Sequence, residues 1–262
     1  MAPPRNLWAS PKACPYVRRR AVSRSYTCVM ESWSVGYEGD GDVERHAGMH
    51  DARPEKPALH ITLVSDYICP WCYVGLARLE QLREEFEITL AACAFDLRPG
   101  IPPEGIARDA SKGKTYPPGY LDNLRQTALD AGIDLKRPPL VPNTRKAHAA
   151  TEFTRDNGGD LWGVHRALFR AYFEEEQNIG DTDVVVRACE EAGVDADALR
   201  GALDEGRYSE EIEKQMEWSR SNGITGVPTT IFNSRFTVVG AQDVDLLRDV
   251  AGRIVRRDAE AT

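Results

Sequence analysis

Two cysteines separated by two residues are the part of this 262-residue sequence whose types and spacing could do chemistry. Cys69 and Cys72 stand in the run Cys69-Pro70-Trp71-Cys72, a spacing that lets two sulfur atoms meet across one helical turn. The remaining cysteines are isolated, at Cys14, Cys28, Cys93 and Cys189. This cysteine usage predicts one chemically special pair in a reducing, cytoplasmic compartment.

The residues around the pair place it at the start of a helix. Residues 60–65 are rich in β-branched and apolar residues, which predicts a buried strand, and the apolar spacing over 72–86 predicts a helix. The first N–H groups of a helix lack partners and carry positive partial charge, so a thiolate there is stabilised. We therefore expect Cys69 to be the more exposed, attacking sulfur, and Cys72 to resolve the mixed disulfide.

Further residues are predicted to bind substrate around the pair. Pro70 suits the first helical turn because it donates no N–H, and Trp71 is expected to cover the sulfurs and shape the surface that partners meet. Pro228 opens a β-run after Gly226-Val227, which makes Val227–Pro228 a candidate cis bond. A cis bond would leave the Val227 backbone free to pair with an extended substrate beside Cys69. The alternative is an ordinary trans proline at a strand start.

The remaining pattern predicts a fold in two halves. After the first strand and helix come a strand over 88–95, helical patterns with stop signals over 118–222, two hairpin strands over 228–232 and 236–239, and a helix over 243–256. Without the helical block, a βαβ…ββα core remains. The fold class is therefore α/β, a thioredoxin-like fold with a large all-helical insertion between the βαβ and ββα halves.

This order divides the chain into three parts. Residues 58–98 and 223–257 form the predicted thioredoxin-like core, residues 99–222 the helical insertion, and residues 1–57 a disordered N-terminal extension. The extension has Arg18-Arg19-Arg20 and no acid in its first 30 residues, which is also compatible with an organellar transit peptide. A start downstream, at Met30 or Met49, is a third interpretation.

Composition argues against several classes of partner. The formal net charge is −8, which disfavours nucleic acid, and no apolar run approaches the roughly 20 residues needed to cross a bilayer. A structural zinc site needs four ligands, and no second cysteine pair or spaced histidine pair accompanies Cys69 and Cys72, so we predict no metal. The oligomeric state is left open.

Several blocks in a fixed order resemble the DsbA-like thioredoxin superfamily, and more narrowly its cytoplasmic FrnE-like branch. They are Ser65-Asp66-Tyr67-Ile68 with the cysteine run, Pro142-Asn143-Thr144 with Ala147-His148, Ala171-Tyr172-Phe173, Gly223-Ile224-Thr225-Gly226-Val227-Pro228-Thr229, and Gly240-Ala241-Gln242. The resemblance covers residues 59–256. It implies Cys69 and Cys72 as the redox centre, Pro228 as the cis-proline and a substrate-facing role for Asn143.

Three functions remain open at this stage. The first is a thiol–disulfide oxidoreductase, without a bound cofactor, acting on a protein or small-molecule disulfide. The second is a glutathione-dependent isomerase or transferase of the 2-hydroxychromene-2-carboxylate isomerase type, with glutathione as co-substrate. Those relatives typically carry Ser where this chain has Cys69, which favours redox chemistry here. The third is a non-enzymatic, redox-sensing binding protein.

The residues between the cysteines predict an intermediate reduction potential. Pro70-Trp71 resembles the Pro-aromatic pair of glutaredoxins more than the Pro-His pair of strongly oxidising DsbA. We expect a redox titration against glutathione to give a potential inside the range of about −270 to −120 mV, away from both ends. A value at the strongly oxidising end would contradict this prediction.

Overall fold

A four-stranded sheet carries the fold in the computed structural model, which describes residues 56–110 and 116–260. The sheet contains β1 (Ala58–Ser65), β2 (Glu87–Ala94), β5 (Thr229–Phe232) and β6 (Phe236–Val239). Its strand order is β2-β1-β5-β6, so β1 is central. The first strand pairs with β2 in parallel and with β5 antiparallel, and β5 and β6 form an antiparallel hairpin.

Helices surround this sheet and fill the segment between its halves. They are α1 (Pro70–Gln81), α2 (Tyr120–Asp130), α3 (Arg145–Asp156), α4 (Leu161–Phe173), α5 (Thr182–Glu191), α6 (Ala196–Asp204), α7 (Ser209–Ser221) and α8 (Val244–Glu260). The side chains of Asp160, Asp181 and Asp195 cap α4, α5 and α6 by accepting backbone N–H groups of the first turn. The predicted fold class is confirmed.

The structure adds one feature to the predicted all-helical insertion. β3 (Ile106–Ala107) pairs antiparallel with β4 (Leu140–Val141), forming a separate two-stranded sheet. Strands of two residues leave no alternation in the sequence, so the pattern could not reveal them. A single hydrophobic cluster includes Leu63 of the sheet and Phe169 of the insertion. The boundaries proposed for the core and the insertion stay predictions, and the extension lies outside the described residues except for 56 and 57.

A close approach between α1 and the loop before β5 brings the two halves of the core together. A Cβ atom added at Gly75 would stand 3.1 Å from Cγ of Pro228, which is tighter than ordinary van der Waals contact. Gly240, just after β6, donates its N–H to the Pro228 carbonyl at 2.8 Å. Arg78 of α1 donates to the Ala241 carbonyl at 2.7 Å. Glycine at position 75 therefore lets Pro228 pack closely against α1, and a larger side chain would require Pro228 to shift.

Two glycine-to-alanine substitutions test this contact. Alanine is better than glycine inside a helix by about 1 kcal/mol, and a Cβ at Gly201 of α6 meets no atom within 4 Å. We expect Gly201→Ala to raise the free energy of unfolding by about that amount, and Gly75→Ala to gain less or to lose stability because Pro228 must shift. Urea unfolding measures the free energy of unfolding of both variants. Equal increases in the two variants would contradict the proposed close packing of Pro228 against Gly75.

Candidate active site

The site lies where the carboxyl ends of two parallel strands meet. β1 and β2 run in register from Ala58 opposite Glu87 to Ser65 opposite Ala94, so the residues following each strand emerge at one edge of the sheet. Asp66 links the segments that follow these two strands by hydrogen bonds. Its carboxylate accepts the N–H of Leu97 at 2.8 Å, after β2, and that of Ile68 at 3.3 Å, after β1.

The cysteine pair opens α1 directly above this junction. Cys69 is the N-cap residue of α1 and Pro70 occupies its first turn, which contains no acidic side chain to offset the positive end of the helix dipole. Cys69 is 6% exposed and Cys72 is 0% exposed, the order that the sequence predicts. Both are free thiols. Position in the helix thus makes the two sulfurs unequal in access.

The loop before β5 faces the first sulfur. The Val227–Pro228 peptide bond is cis. The Cys69 thiol lies 3.6 Å from the Val227 carbonyl oxygen, to which it donates. Thr229 donates its hydroxyl to the Gly226 carbonyl at 2.8 Å and so closes the turn. Residues distant by 158 positions in the chain are therefore in contact at Cys69.

Burial raises the pKa of the Cys72 thiol well above its ordinary value, and interactions with Cys69 add to the effect. Asp66 lies close enough to act on Cys72 in two opposing ways: its backbone N–H stabilises the thiolate and its negative charge disfavours it. The Asp66 carboxyl group is fully buried, and this burial raises its pKa to about 7. Near neutral pH, Asp66 therefore exists in both protonation states beneath the pair.

A buried histidine faces the same carboxyl group. Nε2 of His148 lies 3.9 Å from Oδ1 of Asp66, a distance compatible with an ion pair. However, burial lowers the pKa of His148 to about 3, so the ring is neutral and the contact is not ionic. Tyr67, next to Asp66, places its hydroxyl 2.5 Å from Thr151 Oγ1 and 2.9 Å from His165 Nδ1. Polar groups therefore continue from the site into the insertion.

A cavity of about 570 Å³ opens beside Cys69. The sheet and α1 contribute Cys69, Pro70, Trp71 and Val227 to its lining, and the insertion contributes α2 and the segments on either side of it. Trp71 donates its indole N–H to the Tyr120 hydroxyl at 2.7 Å, which joins α1 to α2 at the cavity wall. This volume lies within the range of about 300–1,000 Å³ typical of small-molecule sites.

The structure thus brings together most of the predicted site residues. Cys69, Pro70, Trp71 and Val227 line the cavity, while Cys72 and Pro228 are buried and do not line it. Asn143 borders a separate cavity of about 120 Å³. Its side chain donates to the Ile101 carbonyl at 2.7 Å and accepts the N–H of Arg145 at 3.1 Å. The substrate-facing role of Asn143 stays a prediction.

Sequence reasoning assigned no role to Asp66 or Gly75. An acidic residue between a buried strand and the cysteine run could have indicated Asp66 in the sequence. Its burial, however, depends on β2 and α3, which lie further along the chain.

Within residues 56–110 and 116–260, no group of three His, Cys, Asp or Glu side chains could hold a metal ion. In the same ranges no helix is long and apolar enough to cross a membrane.

Fold and site define a thioredoxin-fold protein with a cysteine pair at a helix start. The chain belongs to the DSBA-like thioredoxin domain family, whose model matches residues 60–251. A curated relative is YwbO of Bacillus subtilis strain 168, described as an uncharacterized protein. It is 28% identical over 193 residues, which cover 72% of this chain and 93% of YwbO.

Solved structures share the fold. A probable DsbA oxidoreductase from Streptomyces coelicolor is 23% identical, with a TM-score of 0.66 over 74% of this chain and 89% of that one. A 2-hydroxychromene-2-carboxylate isomerase is 20% identical, with a TM-score of 0.60 over 78% of this chain and 99% of that one. At these identities the likeness shows the fold alone, and proteins described as a probable oxidoreductase and as an isomerase share this fold.

The raised pKa of Asp66 makes stability depend on pH. The pKa rises from 3.8 to about 7, so between these values the folded protein keeps a proton that the unfolded chain has released, and stability falls as the pH rises. Asp66→Asn removes this loss. At about 1.4 kcal/mol per pKa unit, the free energy of unfolding of the variant relative to the wild type should rise by up to about 4 kcal/mol between pH 4 and 8.

Glu152→Gln is the matched comparison. Glu152 is 2% exposed, and burial likewise raises the pKa of its carboxyl group from 4.5 to about 7. Its variant should show a similar trend in denaturant unfolding. His148 and His165 act in the opposite direction because burial lowers their pKa, so each variant is compared with the wild type at the same pH. If the difference in free energy of unfolding between Asp66→Asn and the wild type does not change with pH, the prediction is wrong.

Proposed function

We propose that this protein is a dithiol–disulfide oxidoreductase in which Cys69 attacks and Cys72 resolves. The observation that carries the proposal is the position of Cys69 at the start of α1, facing the Val227 carbonyl at the cavity, with Cys72 buried one turn further. A helix start stabilises the attacking thiolate, and only a thiolate attacks a disulfide. The pair carries the electrons itself, so the scheme requires no bound cofactor.

The reaction proceeds in two exchanges. The Cys69 thiolate attacks one sulfur of the substrate disulfide, forming a mixed disulfide and displacing the other sulfur as a thiolate. Cys72 then loses its proton and attacks Sγ of Cys69, forming the Cys69–Cys72 disulfide and releasing the second substrate thiol. Two electrons pass from the protein dithiol to the substrate, and the oxidised pair reverses the same steps when it donates its disulfide.

Asp66 is proposed to accept the proton of Cys72 in the second exchange. Burial raises the pKa of the Cys72 thiol, so this sulfur needs a nearby base. The ionised Asp66 carboxylate acts electrostatically on Cys72, and its pKa of about 7 lets it both accept and release a proton near neutral pH. Transfer of the proton also removes the negative charge that opposes the Cys72 thiolate.

Alkylation and serine variants test these roles. In the reduced protein, iodoacetamide should modify Cys69 at least about tenfold faster than Cys72, with the buried Cys93 and Cys189 as internal references. Cys69→Ser should abolish exchange with a disulfide substrate. Cys72→Ser should complete the first exchange and stop as a mixed disulfide, visible by mass spectrometry. Slow, equal alkylation of both sulfurs would overturn the proposal.

The variant Asp66→Asn tests the proton-transfer role of Asp66 independently of the role of Cys69 as nucleophile. The variant should form the mixed disulfide at the wild-type rate and close the Cys69–Cys72 disulfide more slowly, so the mixed disulfide accumulates. Glu152→Gln is the control, since it removes a buried carboxylate that forms no part of the pair. If Asp66→Asn closes the disulfide as fast as Glu152→Gln, the proton-transfer role is wrong while the roles of the cysteines stand.

A second candidate is a glutathione-dependent isomerase or transferase, with glutathione as co-substrate. The observation that favours it is the cavity beside Cys69, which has the volume of a small-molecule site. Such a reaction needs one sulfur at most. If Cys72→Ser keeps full turnover of a small substrate and glutathione is required, this candidate replaces the first. Loss of turnover in Cys72→Ser would favour the dithiol scheme.

We also propose a cytoplasmic location and membership of the FrnE-like branch. Four cysteines in the described ranges are free thiols, as expected in a reducing compartment. The residue blocks that flank Cys69, Val227–Pro228 and Gly240 support the branch. The proposed partners are disulfide-containing proteins or small molecules.

A further inference from the structure

The cavity beside Cys69 has a charge opposite to that of the whole chain. The protein contains 33 Lys and Arg against 41 Asp and Glu residues. The cavity lining contains five cations and one acid: Arg98, Arg108, Arg125, Lys136, Arg137 and Asp109. An acidic protein that gathers five cations around its reactive sulfur creates a local positive potential, which attracts anions.

Four of these cations are not used up by ion pairs within the described part of the protein. In the described ranges, the side chains of Arg98, Arg125, Lys136 and Arg137 have no carboxylate partner within 4.0 Å. Some exposed arginines elsewhere are paired, as Arg253 is with Asp249 at 2.9 Å, and others in the described ranges, such as Arg256, have no carboxylate partner. The four cavity cations remain available to a ligand.

One of the five cations is held in a fixed orientation. Arg108 donates Nε to the Pro138 carbonyl at 2.5 Å and Nη2 to the Tyr172 hydroxyl at 2.8 Å. The Tyr172 hydroxyl donates in turn to the Leu140 carbonyl at 3.1 Å. These contacts anchor the guanidinium at the cavity wall before any ligand arrives, which lowers the entropic cost of binding.

The cavity also has an aromatic wall. Tyr116 and Tyr120 stack with ring centroids 4.7 Å apart, and Tyr120 meets Trp71 edge-on at 6.3 Å. The wall belongs to α1 and to the insertion and lines the cavity on the side of α2. A cavity of about 570 Å³ has the size typical of small-molecule sites.

We propose that the substrate of this site is a small disulfide that carries at least two acidic groups, either carboxylates or phosphates. This inference rests on the proposed dithiol–disulfide function and names its substrate class. The acid groups bind the cavity cations, which places the disulfide against Cys69. The reduced protein and the disulfide RSSR then give the Cys69–Cys72 disulfide and two RSH, so electrons and protons balance without a further reductant.

Single-turnover rates with four probes test the substrate class. The reduced full-length protein is mixed with glutathione disulfide, which carries carboxylates, or coenzyme A disulfide, which carries phosphates. Neutral hydroxyethyl disulfide and the dication cystamine are the comparisons. We expect at least one anionic probe to react about tenfold or more faster than the neutral probe, with cystamine slowest, and the preference to shrink as ionic strength rises.

Variants that replace arginine with neutral glutamine test whether the cavity causes this preference. The double variant Arg125→Gln/Arg137→Gln removes two cavity cations. Arg253→Gln/Arg256→Gln removes two exposed cations of α8 and changes the net charge equally. The ratio of anionic to neutral rates should fall about tenfold in the cavity variant and stay near the wild-type ratio in the α8 variant. A merely structural effect would lower both rates alike and leave the ratio unchanged.

The outcomes separate the inference from the function on which it rests. A preference for glutathione disulfide alone identifies carboxylates as the bound groups, and one for coenzyme A disulfide alone identifies phosphates. Equal rates for anionic and neutral probes, an equal ratio in the two double variants, or faster reduction of insulin than of either anionic probe overturns the inference. If none of the four probes and no insulin is reduced, the proposed oxidoreductase function itself fails.

Discussion

The buried carboxyl group of Asp66 is the constraint around which the site is arranged. Its oxygens accept N–H groups from the segments that follow β1 and β2, so it fixes the two strand exits beside each other. Removing a carboxyl group from water disfavours its charged form, which is why the pKa of Asp66 rises to about 7. The same group therefore organises the backbone and, in the proposed scheme, accepts the proton of Cys72.

The cysteine pair depends on this arrangement from two directions. The turn after β1 delivers Cys69 to the start of α1, where its sulfur is the more accessible of the two. Across the sheet, Gly75 lets Pro228 pack against α1, and this contact places the Val227 carbonyl opposite Cys69. The reactive sulfur is thus held between a helix start and a loop that belong to different halves of the core.

The insertion adds one wall of the cavity beside the cysteine pair that the core positions. Helix α2 joins α1 through the hydrogen bond between Tyr120 and Trp71, and the segment that ends in β4 contributes Lys136 and Arg137. Arg98 reaches the same cavity because β2 ends beside β1. In the proposed scheme the core performs the exchange and the insertion selects the disulfide by charge and size.

Much of this protein follows from its sequence by local physics. The strand before Cys69 and the start of the helix after it depend on neighbours in the chain, and the structure has them where the pattern predicts them. The aspartate caps of α4, α5 and α6 are local in the same way. The candidate redox pair could be predicted for the same reason, because both cysteines lie in one helical turn.

What the tertiary structure alone decided is the environment of that pair. The burial of Asp66, the seat of Pro228 on Gly75 and the gathering of five cations near Cys69 join residues far apart in the chain. Only packing brings such residues together, since desolvation and long-range charge depend on distances in space that no local pattern encodes.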